Sequence, residues 1–324
     1  MDRFKFFFIF LFFLILGYLL IFILIYTFSS FMLLNGRVID IKIITEYQRN
    51  FYHQLGFRKI WQHQKDCVEY DNDLIFRPRH GSCKFENIEF NTELNFSHSG
   101  RAHSKNIEFN KEAIKGIAVI GDSHAMGWGV NDDETFSYIL EKKIKKPVYN
   151  LAVSGYATNR EILALEKSNL IDKIDTIIIQ YCNNDYQENI NFLGNQSSNN
   201  YSKFEEIHSN NFSSFKRLRK GLRYAVTIPL KYNEKKLDWK KEEDSFLKIL
   251  TSHNSLKDKK IIIFYSNGHE IYYDNFKLNN DAEIKDINFI DINYKKNDFF
   301  LIDGHLNKIG HMKVADKLYN FLIK

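Results

Sequence analysis

Two clusters in this 324-residue chain hold the residue types that acyl transfer needs: Gly121-Asp122-Ser123-His124 and, far downstream, Asp303-Gly304-His305. A serine hydroxyl is a poor nucleophile until a base takes its proton, and histidine is the usual base near neutral pH. That imidazole needs a carboxylate to fix its tautomer and stabilise its charged form, and Asp303 stands two residues ahead of His305. The oxyanion formed by attack needs donors already aimed at it. The backbone N–H groups of Ser123 and Gly155 and the side-chain amide of Asn184 are candidates. The plainer reading of Asp122-Ser123 is a helix cap.

The elements that must position these residues alternate as a doubly wound sheet requires. Ile117 to Ile120 reads as a buried strand that breaks at Gly121, which puts Ser123 at the carboxyl edge of a parallel sheet and at a helix N-terminus. Glu134 to Lys145 has helical spacing and Pro147 ends it. Val148 to Val153 is a second strand that turns off at Ser154-Gly155-Tyr156, and Asn159 is placed to cap the next helix. Thr176 to Tyr181, rich in isoleucine, reads as a central strand ending near Asn184. Lys260 to Tyr265 and Asn288 to Ile292 supply a fourth and a fifth strand, and Leu306 to Leu322 a closing helix. In a parallel sheet Ser123, Gly155, Asn184 and the Asp303–His305 segment all fall on one edge.

In that order the blocks Gly121-Asp-Ser-His124, Gly155, Asn184-Asp185 and Asp303-Gly-His305 resemble the SGNH (GDSL-type) hydrolase family. Leu306-Asn307 and Gly310-His311 resemble the family's last block, and the likeness runs from about Gly116 to Lys324, apart from an insert after Asp185. The resemblance implies a three-layer α/β/α, flavodoxin-like domain with a five-stranded parallel sheet. It also implies ester hydrolysis or acyl transfer through an acyl-serine, with no cofactor and no metal. By the same resemblance Ser123 is the nucleophile, His305 the base and Asp303 its partner, with Ser123, Gly155 and Asn184 forming the oxyanion hole. Two departures stand out. Cys182 occupies a position that is often Gly in the family, and reads as a buried filler. The family's Asp commonly stands three residues before its His, so Asp298 is the nearest other acid.

Three segments organise the chain: an anchor over 1–35, a partly β membrane-proximal region over 36–115, and the hydrolase domain over 116–324 with an insert at about 187–258. From Phe6 to Leu34 the sequence is almost uninterrupted Phe, Leu, Ile and Tyr, longer than the roughly 20 residues that span a bilayer core. No small-x-small cleavage site follows, so the segment reads as an uncleaved single-pass anchor rather than a signal peptide, with the catalytic domain outside the cytoplasm. Val38 to Gln64 reads as a possible continuation in helix. Short alternating stretches at Leu74–Phe76, Cys83–Phe85, Ile88–Phe90, Leu94–Phe96 and Ile107–Phe109 read as strands. Cys67 and Cys83 bracket a loop that an oxidising compartment would allow to close, or are two separate thiols.

The net charge of +5 comes from interleaved acidic and basic residues, which leaves no nucleic-acid footprint. The basic run Lys216 to Tyr224 reads as a solvated face before it reads as a contact for anionic lipid or polymer, and Lys235 to Leu250 as an amphipathic helix. His124 reads as cap or packing, or as a substrate contact; His311 as packing or capping within the last helix; His269 as a residue of the pocket rim. None has metal-ligand spacing. The expected substrate is an ester, O-acetyl above all, on an envelope carbohydrate or lipid. An O-acyltransferase supplied by a membrane acyl-donor protein is the alternative, and a non-catalytic binding protein comes third.

Overall fold

The computed structural model describes residues 3–54, 57–98, 100–101, 115–193, 204–205, 219, 221, 223, 239–268 and 287–324. The chain divides into two compact units: Met1–Lys59 with Asn211–Lys236 and Leu301–Asp303, and Ile60–Asn210 with Leu237–Phe300 and Gly304–Lys324.

The first unit is built on α1 (Arg3–Leu34) and α2 (Lys42–Gln54). Helix α1 is long and apolar enough to cross a membrane, at 32 residues and about 48 Å. Its serine hydroxyls stay within the helix: Ser29 and Ser30 donate to Ile25 O and Tyr26 O at 2.6 and 2.8 Å, which hides their polarity. Helix α2 starts only at Lys42, and its Tyr47 and Phe51 rings meet Tyr26 of α1 edge-on. Buried Gln48 satisfies the backbone between the helices, donating to Ser29 O and Arg37 O and accepting from Ile39 N–H. The segment 301–303 belongs here because α2 takes hold of it: Arg49 Nε donates to Leu301 O and His53 Nε2 contacts Ile302 O at 3.0 Å.

The second unit holds a short antiparallel pair, β1 (Val68–Asp71) and β2 (Ile75–Pro78), and a larger sheet. The larger sheet contains β3 (Gly81–Asn87), β4 (Phe90–Ser97), β5 (Gly100–Arg101), β6 (Gly116–Ile120), β7 (Val148–Asn150), β8 (Ile174–Tyr181), β9 (Lys260–Tyr265) and β10 (Ile287–Phe289). Its order is β10-β9-β8-β6-β7-β5-β4-β3. The sheet therefore has eight strands, not the five expected. Strands β6 to β10 pair in parallel in the doubly wound order, and β5, β4 and β3 extend the β7 edge antiparallel. The two kinds of strand differ in burial: β3 and β4 alternate buried and exposed residues, whereas β6, β8 and β9 are buried on both faces. Alternation alone does not say which sheet a strand joins, so the extension leaves no mark in the sequence.

Six helices complete the unit among the described residues: α3 (Ser123–Met126), α4 (Phe136–Ile144), α5 (Thr158–Lys167), α6 (Asp185–Leu193), α7 (Trp239–Ser252) and α8 (Lys308–Leu322). Successive strand residues face opposite ways, so the core divides in two. Ile117, Val119, Ile262 and Phe264 pack with Phe136, Leu140, Val314 and Leu318 of α4 and α8. Ala118, Ile120, Ile261 and Ile263 pack with Ile162, Leu165, Phe246 and Ile249 of α5 and α7.

Local details differ from expectation. Ile88-Glu89 is the two-residue turn joining β3 to β4, not strand. Asn159 lies inside α5, whose N-cap is Ala157, and its Oδ1 instead meets His253 Nε2 at 3.2 Å. Cys67 and Cys83 form a disulfide with Cα atoms 5.3 Å apart. Ile107–Phe109, His269 and most of Lys216–Tyr224 lie outside the described residues.

Candidate active site

The sheet's order reverses around β6, the position at which open α/β sheets form their ligand crevice. Ser123 follows β6 there. Gly121 makes the turn at φ +152°, and a Cβ on it would come within 2.9 Å of Gln180 and 2.8 Å of Ala125. Gln180 is the one amide in a strand of isoleucines. Its Oε1 accepts from Asp122 N–H and Ala125 N–H at 3.1 and 3.2 Å, and its Nε2 donates to Ser266 O. Asp122 caps α3 by accepting from His124 N–H at 2.9 Å. Cap and candidate nucleophile are thus neighbours: Asp122 takes the cap, which leaves the Ser123 hydroxyl for other work. Helix α3 is a single turn of four residues, so its dipole adds little, and locally held N–H groups must supply any oxyanion stabilisation.

His305 reaches that hydroxyl, with Nε2 2.7 Å from Ser123 Oγ. Both side chains are nearly closed to solvent, at 8% and 9% exposure. The His305 ring stacks on Trp128 at 4.6 Å with 15° between planes, and His124 lies 4.7 Å away, tilted by 34°. His124 is fixed in turn by a 3.0 Å contact between Nδ1 and Ser266 Oγ. The His305 loop closes through Phe300 N–H to His305 O at 2.9 Å, with Gly304 at φ +89°.

Asn184, exposed at the end of β8, donates through Nδ2 to Asp122 Oδ2 at 3.3 Å, which ties it to the serine turn. Burial pushes the Asp122 carboxyl above its usual range, against the opposing pull of His124 N–H, His305, Asn184 and Gln180. Gly155 has φ +83°, and its loop is held from several sides. Ser154 N–H points at Met126 Sδ at 3.3 Å, Ser154 Oγ donates to Gln62 Oε1 at 3.0 Å, and Arg160 Nη2 donates to Gly155 O at 2.5 Å. Arg160 is itself forked onto Glu188 at 2.5 and 2.6 Å.

Asp303 lies in the first unit, buried, where it accepts from Tyr52 Oη at 2.8 Å and Arg58 Nε at 3.2 Å. The other acid considered, Asp298, is engaged elsewhere, accepting from Lys295 N–H and Lys313 Nζ at 2.6 and 2.8 Å. Burial holds the Cys182 thiol well above its usual range, so it is a filler and not a thiolate. His311 accepts from Phe136 N–H, the first residue of α4, at 3.2 Å through Nδ1, so it serves α4 and not its own helix; burial pushes its pKa down to about 3.

One support for the serine turn comes from far upstream. Arg101 of β5 is 1% exposed and donates to Met126 O, Gly127 O and Val130 O at 2.6 Å each and to Asp132 Oδ1 at 2.7 Å. It clamps the loop that carries Trp128. Sequence reasoning passed over Gln180, Trp128, Arg101 and Gln62. Gln180 left a trace as the polar break in an apolar strand, whereas Arg101 and Gln62 left none.

No protein-family model matches the chain, and no curated protein does. Solved structures that align with this chain include the lipase Lip_vut3 from a goat rumen metagenome, at 15% identity, 64% of this chain, 96% of that chain and TM-score 0.33. The psychrotrophic esterase EstA from a Pseudoalteromonas species, inhibited by monoethylphosphonate, aligns at 12% identity over 65% of this chain and 100% of that one, with TM-score 0.36. Phospholipase A1 from Streptomyces albidoflavus NA297 aligns at 13% identity over 65% and 74%, with TM-score 0.25. Likenesses at this level assign neither activity nor substrate.

Proposed function

We propose that the chain is a membrane-anchored serine esterase that removes small acyl groups, acetyl above all, from an envelope carbohydrate or lipid. The observation that carries this reading is the 2.7 Å approach of His305 Nε2 to Ser123 Oγ at the carboxyl edge of the parallel strands. In the first half-reaction His305 takes the hydroxyl proton as Ser123 Oγ bonds to the ester carbonyl carbon. The negative oxygen is received by the N–H groups of Ser123 and Gly155 and by the Asn184 amide. The intermediate collapses, the C–O bond to the alcohol breaks, and the alcohol leaves with the proton from His305. Water then repeats the sequence on the acyl-serine: His305 takes its proton, the acid is released, and Ser123 regains a proton. In this reading Asp303, two residues ahead of His305, is the carboxylate that orients the imidazole. Helix α1 is the anchor, and the Cys67–Cys83 disulfide supports a domain outside the reducing cytoplasm.

The full chain in detergent micelles, given p-nitrophenyl acetate and longer esters, tests the reading. Wild type turns the acetyl ester over, Ser123→Ala and His305→Ala lower kcat by at least about 10³-fold, and a fluorophosphonate labels Ser123. Folded wild type that shows neither turnover nor labelling overturns it.

A further inference from the structure

The residues before the α/β strands reach the site through a side chain that the acyl-serine mechanism does not use. Gln62 sits in a single 3-10 turn, Trp61–His63, anchored by the fully buried Trp61, which packs on Phe96 at 5.5 Å. One end of the Gln62 carboxamide is fixed: Oε1 accepts from Ser154 Oγ at 3.0 Å, and Ser154 is itself buried. With Oε1 on the Ser154 hydroxyl, the donor end of the carboxamide is the one left toward the Gly155 loop. That end, Nε2, lies against Gly155. A Cβ on Gly155 would stand 2.9 Å from Nε2 and 3.3 Å from Cδ, so the glycine is the residue that gives the amide room. Among the described residues Nε2 donates to no partner.

A donor held beside the oxyanion-hole glycine, with its own acceptor end occupied by protein, is suited to an oxygen on the substrate. We infer that Gln62 is a substrate-contacting residue, whose Nε2 donates a hydrogen bond to the reacting ester group as negative charge develops on it. The inference rests on the esterase reading, and it makes the segment ahead of the α/β strands part of the catalytic site rather than a spacer. A purely structural Gln62 would act only by steadying the Ser154-Gly155 loop, and the two roles respond differently to mutation.

The full chain in detergent micelles, assayed with p-nitrophenyl acetate, separates them through three variants. Gln62→Met, close in length and without the amide, lowers kcat/KM by about 10²-fold while the melting temperature stays near that of wild type. Gln62→Glu lowers it further, because a carboxylate would face the developing negative charge. Ser154→Ala breaks the Gln62–Ser154 bond but keeps the donor, and loses less than about 10-fold. Should Gln62→Met not fold, Gln62→Asn decides: it keeps the amide one methylene short, and its kcat/KM falls about 10-fold or more. Gln62→Met within about threefold of wild type, or a Ser154→Ala loss equal to it, overturns the inference. Wild type that neither turns over ester nor reacts with a fluorophosphonate fails one step earlier, at the esterase reading itself.

Discussion

Removing the Arg101 guanidinium is expected to cost the protein a large part of its stability and most of its activity. The side chain is almost wholly buried, with donors on three carbonyls at 2.6 Å and on Asp132 at 2.7 Å. Burial pulls its pKa down, and Asp132 is the main group that opposes the shift and keeps it charged. Arg101→Met fits the space but leaves three carbonyls without their donor and Asp132 without its counter-charge. Breaking a buried ion pair from one side costs about 3–5 kcal/mol. The lower end applies, because Asp132 still accepts from Asn95 Nδ2 at 2.7 Å and from Asn95 N–H at 3.3 Å. A loss of about 3 kcal/mol is a large fraction of a typical domain's stability and lowers Tm by about 6–12 °C. The freed loop carries Trp128, which stacks on His305, and Met126, which receives Ser154 N–H, so kcat falls well below the melting range as well. Arg101→Lys keeps the charge, but one ammonium does not match four acceptors arranged around a planar fork, and it recovers only part of the loss. Urea unfolding of the full chain in micelles, followed by tryptophan fluorescence, measures the difference. A loss below about 1 kcal/mol for Arg101→Met, or full recovery with lysine, refutes the reasoning.

Three further outcomes follow from the same geometry. Opening the Cys67–Cys83 bridge, by reduction or by changing both residues to alanine, lowers stability by about 3 kcal/mol through the loop of 16 residues it closes, read by denaturant midpoint. Glu161 is buried, its two oxygens have no hydrogen-bond partner among the described residues, and burial together with Asp185 raises its pKa well above the usual value. The folded protein then holds a proton that the unfolded chain releases, so stability falls as pH rises above the ordinary carboxyl range. Glu161→Gln removes that slope and raises Tm at pH 8 more than at pH 4, and an equal shift at both would contradict the cause. His311, neutral and buried, has the opposite sign: its contribution is complete above about 6.5 and is lost as pH falls toward about 3. His311→Gln, which keeps an acceptor for Phe136 N–H, flattens the acid side of the Tm profile without changing it at pH 8.

What could be read from the sequence was whatever is local or periodic. The apolar run of α1 shows its length and its greasiness directly. The isoleucine strands and the Gly121-Asp122-Ser123 break state their own class, and the order of Ser123, Gly155, Asn184 and His305 along the chain put them on one edge once the sheet was taken as parallel. A turn residue such as Gly121 is legible because its backbone angle excludes most other side chains. Element ends were less so: Asn159 looks like a cap by type, yet α5 starts at Thr158 and its N-cap position falls two residues earlier on Ala157, whose side chain makes no cap bond. Ile88-Glu89 looked like strand by alternation, yet two residues are what the β3–β4 hairpin needs to turn.

Only the tertiary structure decided the rest, because it turns on pairs distant in the chain that carry no mutual signal. The disulfide, the joining of β3–β5 to the parallel strands, Asp303 on Tyr52 and Arg58, Arg101 on the Trp128 loop and Gln62 at Gly155 are all of this kind. A hydrogen bond is set by where two backbones bring their side chains, and a residue's type fixes only what it can donate or accept. The sequence by itself determined an apolar anchor-length helix, an α/β core and a serine on a strand-end turn. Folding determined that His305 arrives 2.7 Å from that serine, and which distant side chains hold the turn in place.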